Sequence, residues 1–225
     1  MRIKHFGVFK NQMKALDWEI LRNDQTEGPY YLPYQKKDYL LRVEATEPSL
    51  STKIILQEIE RIGLKKVFSI GSGIAIQEYQ LKKFSKCKVV VTDYNPSVMR
   101  LKQFQIFDDA FILDAFKDPL PVDKSWVVLF PRIDTEFDDF QLNELFEKCH
   151  KSGINSICFI PAELLSFRII LAEIKTFVIS MIKGKPRVFC GYARTLGSFR
   201  KLWDPYYILA RKFKTDKAIF FLQAK

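Results

Sequence analysis

From residue 66 onward, short apolar runs alternate with helically spaced segments, and the connections between them are brief. KVFSI (66–70), KVVVTD (88–93), AFILD (110–114), SWVVLF (125–130) and INSICFI (154–160) are rich in β-branched and aromatic residues. Such runs suit strands covered on both faces. Between them, IAIQEYQLKKF (74–84), SVMRLKQFQ (97–105) and DDFQLNELFEKCHK (138–151) repeat apolar residues at the three- and four-residue spacing of a helix. RVFCGYA (187–193) and KAIFFLQ (217–223) supply a sixth and a seventh strand. This alternation predicts an α/β fold, a doubly wound, mostly parallel seven-stranded sheet with helices on both faces. No helix longer than about three turns separates the last two strands, so the last strand is expected to return antiparallel. In such a sheet, ligands bind at the carboxyl ends of the strands.

Those strand ends carry the chemistry. Ser69-Ile70-Gly71-Ser72-Gly73 closes the first strand and opens a helix. Glycine permits a tight turn and a close ligand approach, and the helix start offers free N–H groups. Asp93 ends the second strand, 20 residues after Gly73. A carboxylate there can accept hydrogen bonds from both ribose hydroxyls, and it can also cap the following helix. A dinucleotide fingerprint requires a third glycine where this chain has Ile76, which counts against NAD or FAD.

Residues 113–130, LDAFKDPLPVDKSWVVLF, resemble the stretch from the third to the fourth strand in class I S-adenosylmethionine-dependent methyltransferases. Asp114-Ala115 matches the pair that meets adenine in that family, and Leu120-Pro121 matches its following loop. SIGSG resembles the glycine motif and TDYNP the ribose-binding strand end. The resemblance covers residues 60–160 well and the C-terminal strands loosely, with GYARTLGSFRKLW and KAIFFLQ similar to the closing antiparallel pair. It implies S-adenosyl-L-methionine as cofactor, bound by Ser69, Gly71, Ser72, Gly73, Asp93, Tyr94, Asp114, Ala115 and Phe130. It also implies transfer of the sulfonium methyl group to an O, N or C acceptor on a small molecule.

Two departures stand out. Ser69 occupies a position that is often acidic in the family. Phe130-Pro131-Arg132-Ile133 replaces the Asn/Asp-Pro-Pro-aromatic motif of enzymes that methylate nucleic-acid amines. Asp134, Glu136, Asp138 and Asp139 follow the fourth strand; Asp134 lies nearest the strand end and is the candidate base, while Asp138 and Asp139 suit a helix N-terminus.

The net charge of +10 is concentrated in residues 162–225, which hold 13 basic and 4 acidic side chains. Arg194, Arg200, Lys201, Arg211 and Lys212 interleave there with Tyr192, Phe199, Trp203, Tyr206 and Tyr207. That pattern suits either single-stranded nucleic acid or an ordinary surface with extended cationic side chains. Methylation of RNA or another polyanion is therefore an alternative. A non-catalytic adenosyl-ligand-binding or interaction protein is another, because fold does not determine function.

Residues 1–62 read as an N-terminal helical and loop extension to a Rossmann-like domain at 63–225. Residues 48–62 suit a helix capped by Ser49 or Ser51 and ended by Gly63. Tyr30, Tyr31 and Tyr34 suit either a lid or a packed aromatic loop. Four separated cysteines and two histidines exclude a zinc or disulfide framework. The charged N-terminus lacks a signal-peptide core, so a cytoplasmic protein is expected. In the apolar stretch 164–182, Arg168, Glu173 and Lys175 argue against a membrane span. Phe167, Ile170, Leu171, Ile174, Phe177, Val178 and Met181 share one helical face, which predicts packing on the core.

Overall fold

The computed structural model describes residues 2–4, 15–183, 192–215 and 217–225. The main sheet has seven strands: β2 (Lys66–Ile70), β3 (Lys88–Asp93), β4 (Asp109–Ile112), β5 (Val127–Pro131), β6 (Ser156–Ile160), β8 (Tyr207–Lys214) and β9 (Ala218–Ala224). Their order is β4-β3-β2-β5-β6-β9-β8, and only β9 runs antiparallel to its neighbours. The expected doubly wound sheet with an antiparallel last strand is what forms.

One face of the sheet carries Val67, Val89, Val91, Val127 and Leu129. Four helices cover it: α2 (Lys36–Glu44), α3 (Leu50–Arg61), α4 (Ile76–Phe84) and α5 (Val98–Phe104). The Ser49 hydroxyl caps α3 by accepting from the Thr52 amide. The other face carries Phe68, Val128, Phe130, Ile157 and Phe159. It packs against α6 (Asp139–Lys151) and α8 (Leu196–Trp203) through Phe146, Phe199 and Trp203. Strand order reverses between β2 and β5, so their carboxyl ends open a crevice.

Two sequence expectations need correction at the C-terminal end. The sheet's remaining strand is β8, and residues 187–191 of the expected 187–193 strand lie outside the described residues. Tyr192 and Ala193 of that segment belong to β7 (Tyr192–Arg194), which pairs with β1 (Arg2–Lys4) in a separate two-stranded sheet. GYARTLGSFRKLW accordingly contributes β7 and α8 rather than a strand of the closing pair. β8 lies at the sheet edge, and a register shift between Leu209 and Arg211 breaks its alternation.

The second correction concerns α7 (Phe167–Lys183), none of whose described side chains is buried. The connection from β6 to β8 already places α8 against the sheet, leaving no uncovered sheet face for α7. No helix among the described residues is long and apolar enough to cross a membrane.

Candidate cofactor and active site

The crevice at the β2/β5 switch holds a cavity of about 330 Å³. Its floor is the loop after β2. The amides of Gly71 and Ser72 both donate to the Thr92 carbonyl, each at 2.9 Å, folding the loop back over β3. Gly71 and Gly73 have φ of 72° and 61°. A Cβ on Gly71 would lie 2.6 Å from Ile133 Cγ2, so glycine answers both to backbone conformation and to close approach there. Behind the loop, Tyr39 Oη of α2 donates to the Ile74 carbonyl at 3.2 Å.

Asp93 is buried at the end of β3. Its Oδ2 accepts from the Gly73 amide at 2.9 Å and its Oδ1 from the Asn95 amide at 3.0 Å. The Tyr94 amide also favours this carboxylate, so of its about four lone-pair sites about one remains for a further donor. Burial raises the Asp93 pKa, opposed by Arg22 and these amides. Tyr94 lines the cavity beside it, packed near Trp18.

The opposite wall is the loop after β4, with Leu113, Asp114, Ala115 and Phe116. Asp114 Oδ1 accepts from the amides of Phe116 and Lys117, closing a tight turn. Lys148 of α6 reinforces that turn. Its Nζ donates to the carbonyls of Ala115, Phe116 and Asp118 at 2.8, 2.9 and 2.6 Å.

Gly71, Ser72, Gly73, Asp93, Tyr94, Asp114 and Ala115 thus meet around one cavity. Ser69, Phe130 and Asp134 are not among its lining residues. Phe130 packs edge-on against Phe146 in the core. The Ser69 hydroxyl donates to Glu78 Oε1 at 2.6 Å, so a carboxyl group of α4 stands behind the strand end where the family often has an acid. Burial pushes the Glu78 pKa up to about 7. Asp134 is fully buried, accepts from the Ala162 amide at 2.8 Å, and burial raises its pKa to about 6. Asp138 forms a capping box with Gln141, and Asp139 pairs with Arg194 at 2.7 Å.

Among the polar and aromatic lining residues that the sequence does not mark as cofactor ligands are Trp18, Arg22, Glu136 and Gln141; Glu136 stands in the sequence only within the acidic cluster after the fourth strand. Trp18 and Arg22 come from α1 (Ala15–Asn23), remote in sequence from every strand end. Trp18 Nε1 donates to Glu136 Oε2 at 3.3 Å. The Arg22 guanidinium lies 5.0 Å from the Trp18 ring centroid and donates to the Tyr30 carbonyl. It reaches over the glycine loop, with Nη2 2.9 Å from where a Cβ on Gly73 would sit. Burial, opposed by Trp18 and Arg22 and reinforced by Asp93, pushes the Glu136 pKa up to about 7.

Tyr30 borders the cavity, whereas Tyr34 is exposed under Arg100. Arg42 donates to the carbonyls of Gly28 and Tyr31, and Arg100 donates to that of Leu32, which anchors this aromatic loop. The basic and aromatic C-terminal residues do not form an exposed stacking platform. Phe199, Trp203 and Tyr207 are core residues, and Arg194 is buried on the carbonyls of Asp134 and Phe137.

No family model and no curated protein sequence matches the chain. Solved structures do. Human N-acetylserotonin methyltransferase in complex with S-adenosylmethionine aligns over 95% of this chain with a TM-score of 0.61 and 17% identity. Magnesium protoporphyrin IX methyltransferase from Synechocystis, with bound S-adenosylhomocysteine, aligns over 93% of each chain, with a TM-score of 0.58 and 12% identity. The fold is that of the class I S-adenosylmethionine-dependent methyltransferases. A Pyrococcus horikoshii protein of similar extent also matches, over 92% of this chain and 99% of its own, with a TM-score of 0.62 and 16% identity. This chain spans 63% of the human enzyme's length. Within this methyltransferase fold, the cavity lies at the switch in strand order.

Two polar atoms of the cavity lining test its fit to such a cofactor. Ser72 Oγ and Arg22 Nε are buried and have no hydrogen-bond partner among the described residues. Unsatisfied buried groups of this kind are costly unless a ligand or water meets them. The Arg22 guanidinium and Ser72 hydroxyl as donors and the Asp93 carboxylate as acceptor fit a molecule with a carboxylate and a ribose.

Proposed function

We propose that this protein is an S-adenosylmethionine-dependent methyltransferase acting on a small, largely apolar acceptor. The observation that carries the reading is the convergence of Gly71–Gly73, Asp93 and Asp114-Ala115 on one cavity that also holds the orphaned polar atoms of Ser72 and Arg22. Asp93 takes a ribose hydroxyl through its remaining acceptor site, beside Tyr94. Ala115 and Phe116 border the adenine, held in place by Lys148. Arg22 faces the carboxylate of the methionyl end. When bound, the cofactor supplies an activated methyl group on a sulfonium, so the protein's task is chiefly to orient and desolvate the acceptor.

Trp18 and Tyr30 make the N-terminal segment the lid that excludes water. Phe116 and Phe137, in edge contact at 4.9 Å between ring centroids, form an apolar wall for an acceptor. These aromatic walls favour a small molecule over a polyanion, in keeping with the small-molecule methyltransferases that share the fold.

Glu136, not Asp134, is the candidate base, because it lines the cavity. With a pKa near 7, it is poised to take the proton of an acceptor hydroxyl or amine as the acceptor lone pair attacks the methyl carbon and the C–S bond electrons return to sulfur. Methyl transfer should therefore rise with pH through about 7 as Glu136 loses its proton.

The test is transfer of labelled methyl groups from S-adenosylmethionine into a small-molecule extract. Wild-type protein is expected to label a discrete product. Glu136→Gln is expected to lower the rate by about 10²-fold or more, with cofactor affinity kept. Absence of any labelled product from a wild-type protein that binds the cofactor would refute the catalytic reading, and an unchanged Glu136→Gln rate would refute the base.

A further inference from the structure

One guanidinium holds the loop that carries Glu136. Residues 132–138 join β5 to α6, and a single turn of 3-10 helix, Ile133–Thr135, leads directly into Glu136. Arg194 of β7 reaches this loop from 60 residues away in sequence. Its Nη1 donates to the Asp134 carbonyl at 2.6 Å, its Nη2 to the Phe137 carbonyl, and its Nε to Asp139 Oδ1 at 2.7 Å. The two carbonyls bracket Glu136. A guanidinium is a rigid planar fork, so holding both carbonyls on it fixes the backbone between them.

Arg194 is itself fully buried. Its carbonyl accepts from the Leu165 amide at 2.8 Å, and its guanidinium lies 5.1 Å from the Tyr192 ring centroid and 5.8 Å from that of Phe199. A buried cation is costly unless its donors are met, and here two of them are met by the backbone of the candidate base. The charge of Arg194 is not what acts on Glu136. The groups that do so are Arg22 of α1, Asp93 at the end of β3 and the adjoining Tyr94, with Trp18 as hydrogen-bond donor. An effect of Arg194 on Glu136 must therefore travel through the position of the loop. The same loop carries Phe137, whose ring meets Phe116 in the apolar wall.

We propose that Arg194 is the positioning residue of the acceptor site: it holds Glu136 at the cavity by fixing the backbone on either side of it, while lining no part of the cavity itself. The inference rests on the reading of Glu136 as the base.

The labelled-methyl assay, followed from about pH 5.5 to 9, separates positioning from ordinary structural support. Arg194→Lys keeps the buried charge, but a single ammonium cannot fork across two carbonyls. Glu136 should then gain water. The alkaline plateau of the rate is expected to fall roughly tenfold or more, and its midpoint to move from about 7 toward acid by roughly one pH unit. Cofactor affinity, measured by titration, is expected to stay within about twofold of wild type. Loss of structural support alone would lower the melting temperature and the active fraction, and would leave the midpoint of the surviving activity where it was. Asp139→Ala, made at a side chain 41% exposed, removes the Nε anchor and should shift the midpoint the same way by less. Where Arg194→Lys does not fold, Asp139→Ala decides alone. An unshifted midpoint in the deciding variant overturns the positioning role. So does a wild-type protein that labels no product, or an unchanged Glu136→Gln rate, and those two outcomes remove the underlying reading as well.

Discussion

Glu78, Glu136 and Asp134 sit at or behind the cavity with pKa values near 7, 7 and 6, all raised chiefly by burial. In the unfolded chain they titrate near the ordinary carboxylate range. Between about pH 5 and 7 the folded protein therefore holds protons that the unfolded chain has released, and stability falls as pH rises through that window. Asp24, Asp108, Asp114 and Asp123 are shifted downward, so their titration lies below it. The melting temperature should accordingly drop from about pH 5 to 7, and Glu78→Gln should flatten the slope by roughly 1–3 kcal/mol at the upper end while still accepting from Ser69. A melting temperature that climbs across this range would contradict the assignment of buried, protonated carboxyls. At this scale the sequence is most legible where function depends on local spacing. Gly71, Gly73, Asp93 and Asp114-Ala115 follow from strand ends and the turns after them. Arg22 does not, and Glu136 stands out only as one of the acidic cluster after the fourth strand, because their meeting depends on a helix some 110 residues away in sequence coming to rest over the switch point. Nor does the Ser69–Glu78 pair, since an acid missing from a strand gives no sign that a helix nine residues on supplies one.

The elements show a related division between pattern and setting. The strands buried on both faces, β2, β3, β5 and β6, announce themselves as continuous apolar runs, and the helices between them as regular periodicity. β8 escapes notice because it is an edge strand with a bulge and with Arg211, Lys212 and Lys214 along it. Periodicity in α7 reveals a stripe but not what the stripe faces; α8 takes the place on the sheet that α7 was expected to fill. The loop after β4 is a third case. Its residues were recognisable, but its clamp was not, because Lys148 reads as an ordinary helix-end cation. Lys148→Met removes a charged donor from three carbonyls at once. It is expected to destabilise the protein by about 1–3 kcal/mol and to weaken binding of any adenosine-containing ligand. Chemical denaturation together with adenosine titration checks both effects. Unchanged values in the two measurements would show that the loop holds its shape without the clamp.

Across the whole molecule, a sheet with reversed strand order places its ligand crevice at the β2/β5 boundary, and α1 closes that crevice from outside the sheet. None of the described α7 side chains is buried, and none lines the cavity. The methyltransferase reading depends on the cavity alone. Its most direct test is isothermal titration of the full chain with S-adenosylmethionine, for wild type and Asp93→Ala. Saturable binding to wild type, weakened roughly tenfold or more by loss of the ribose acceptor, is the expected result. No binding to folded wild-type protein, or an affinity indifferent to Asp93, would contradict the account.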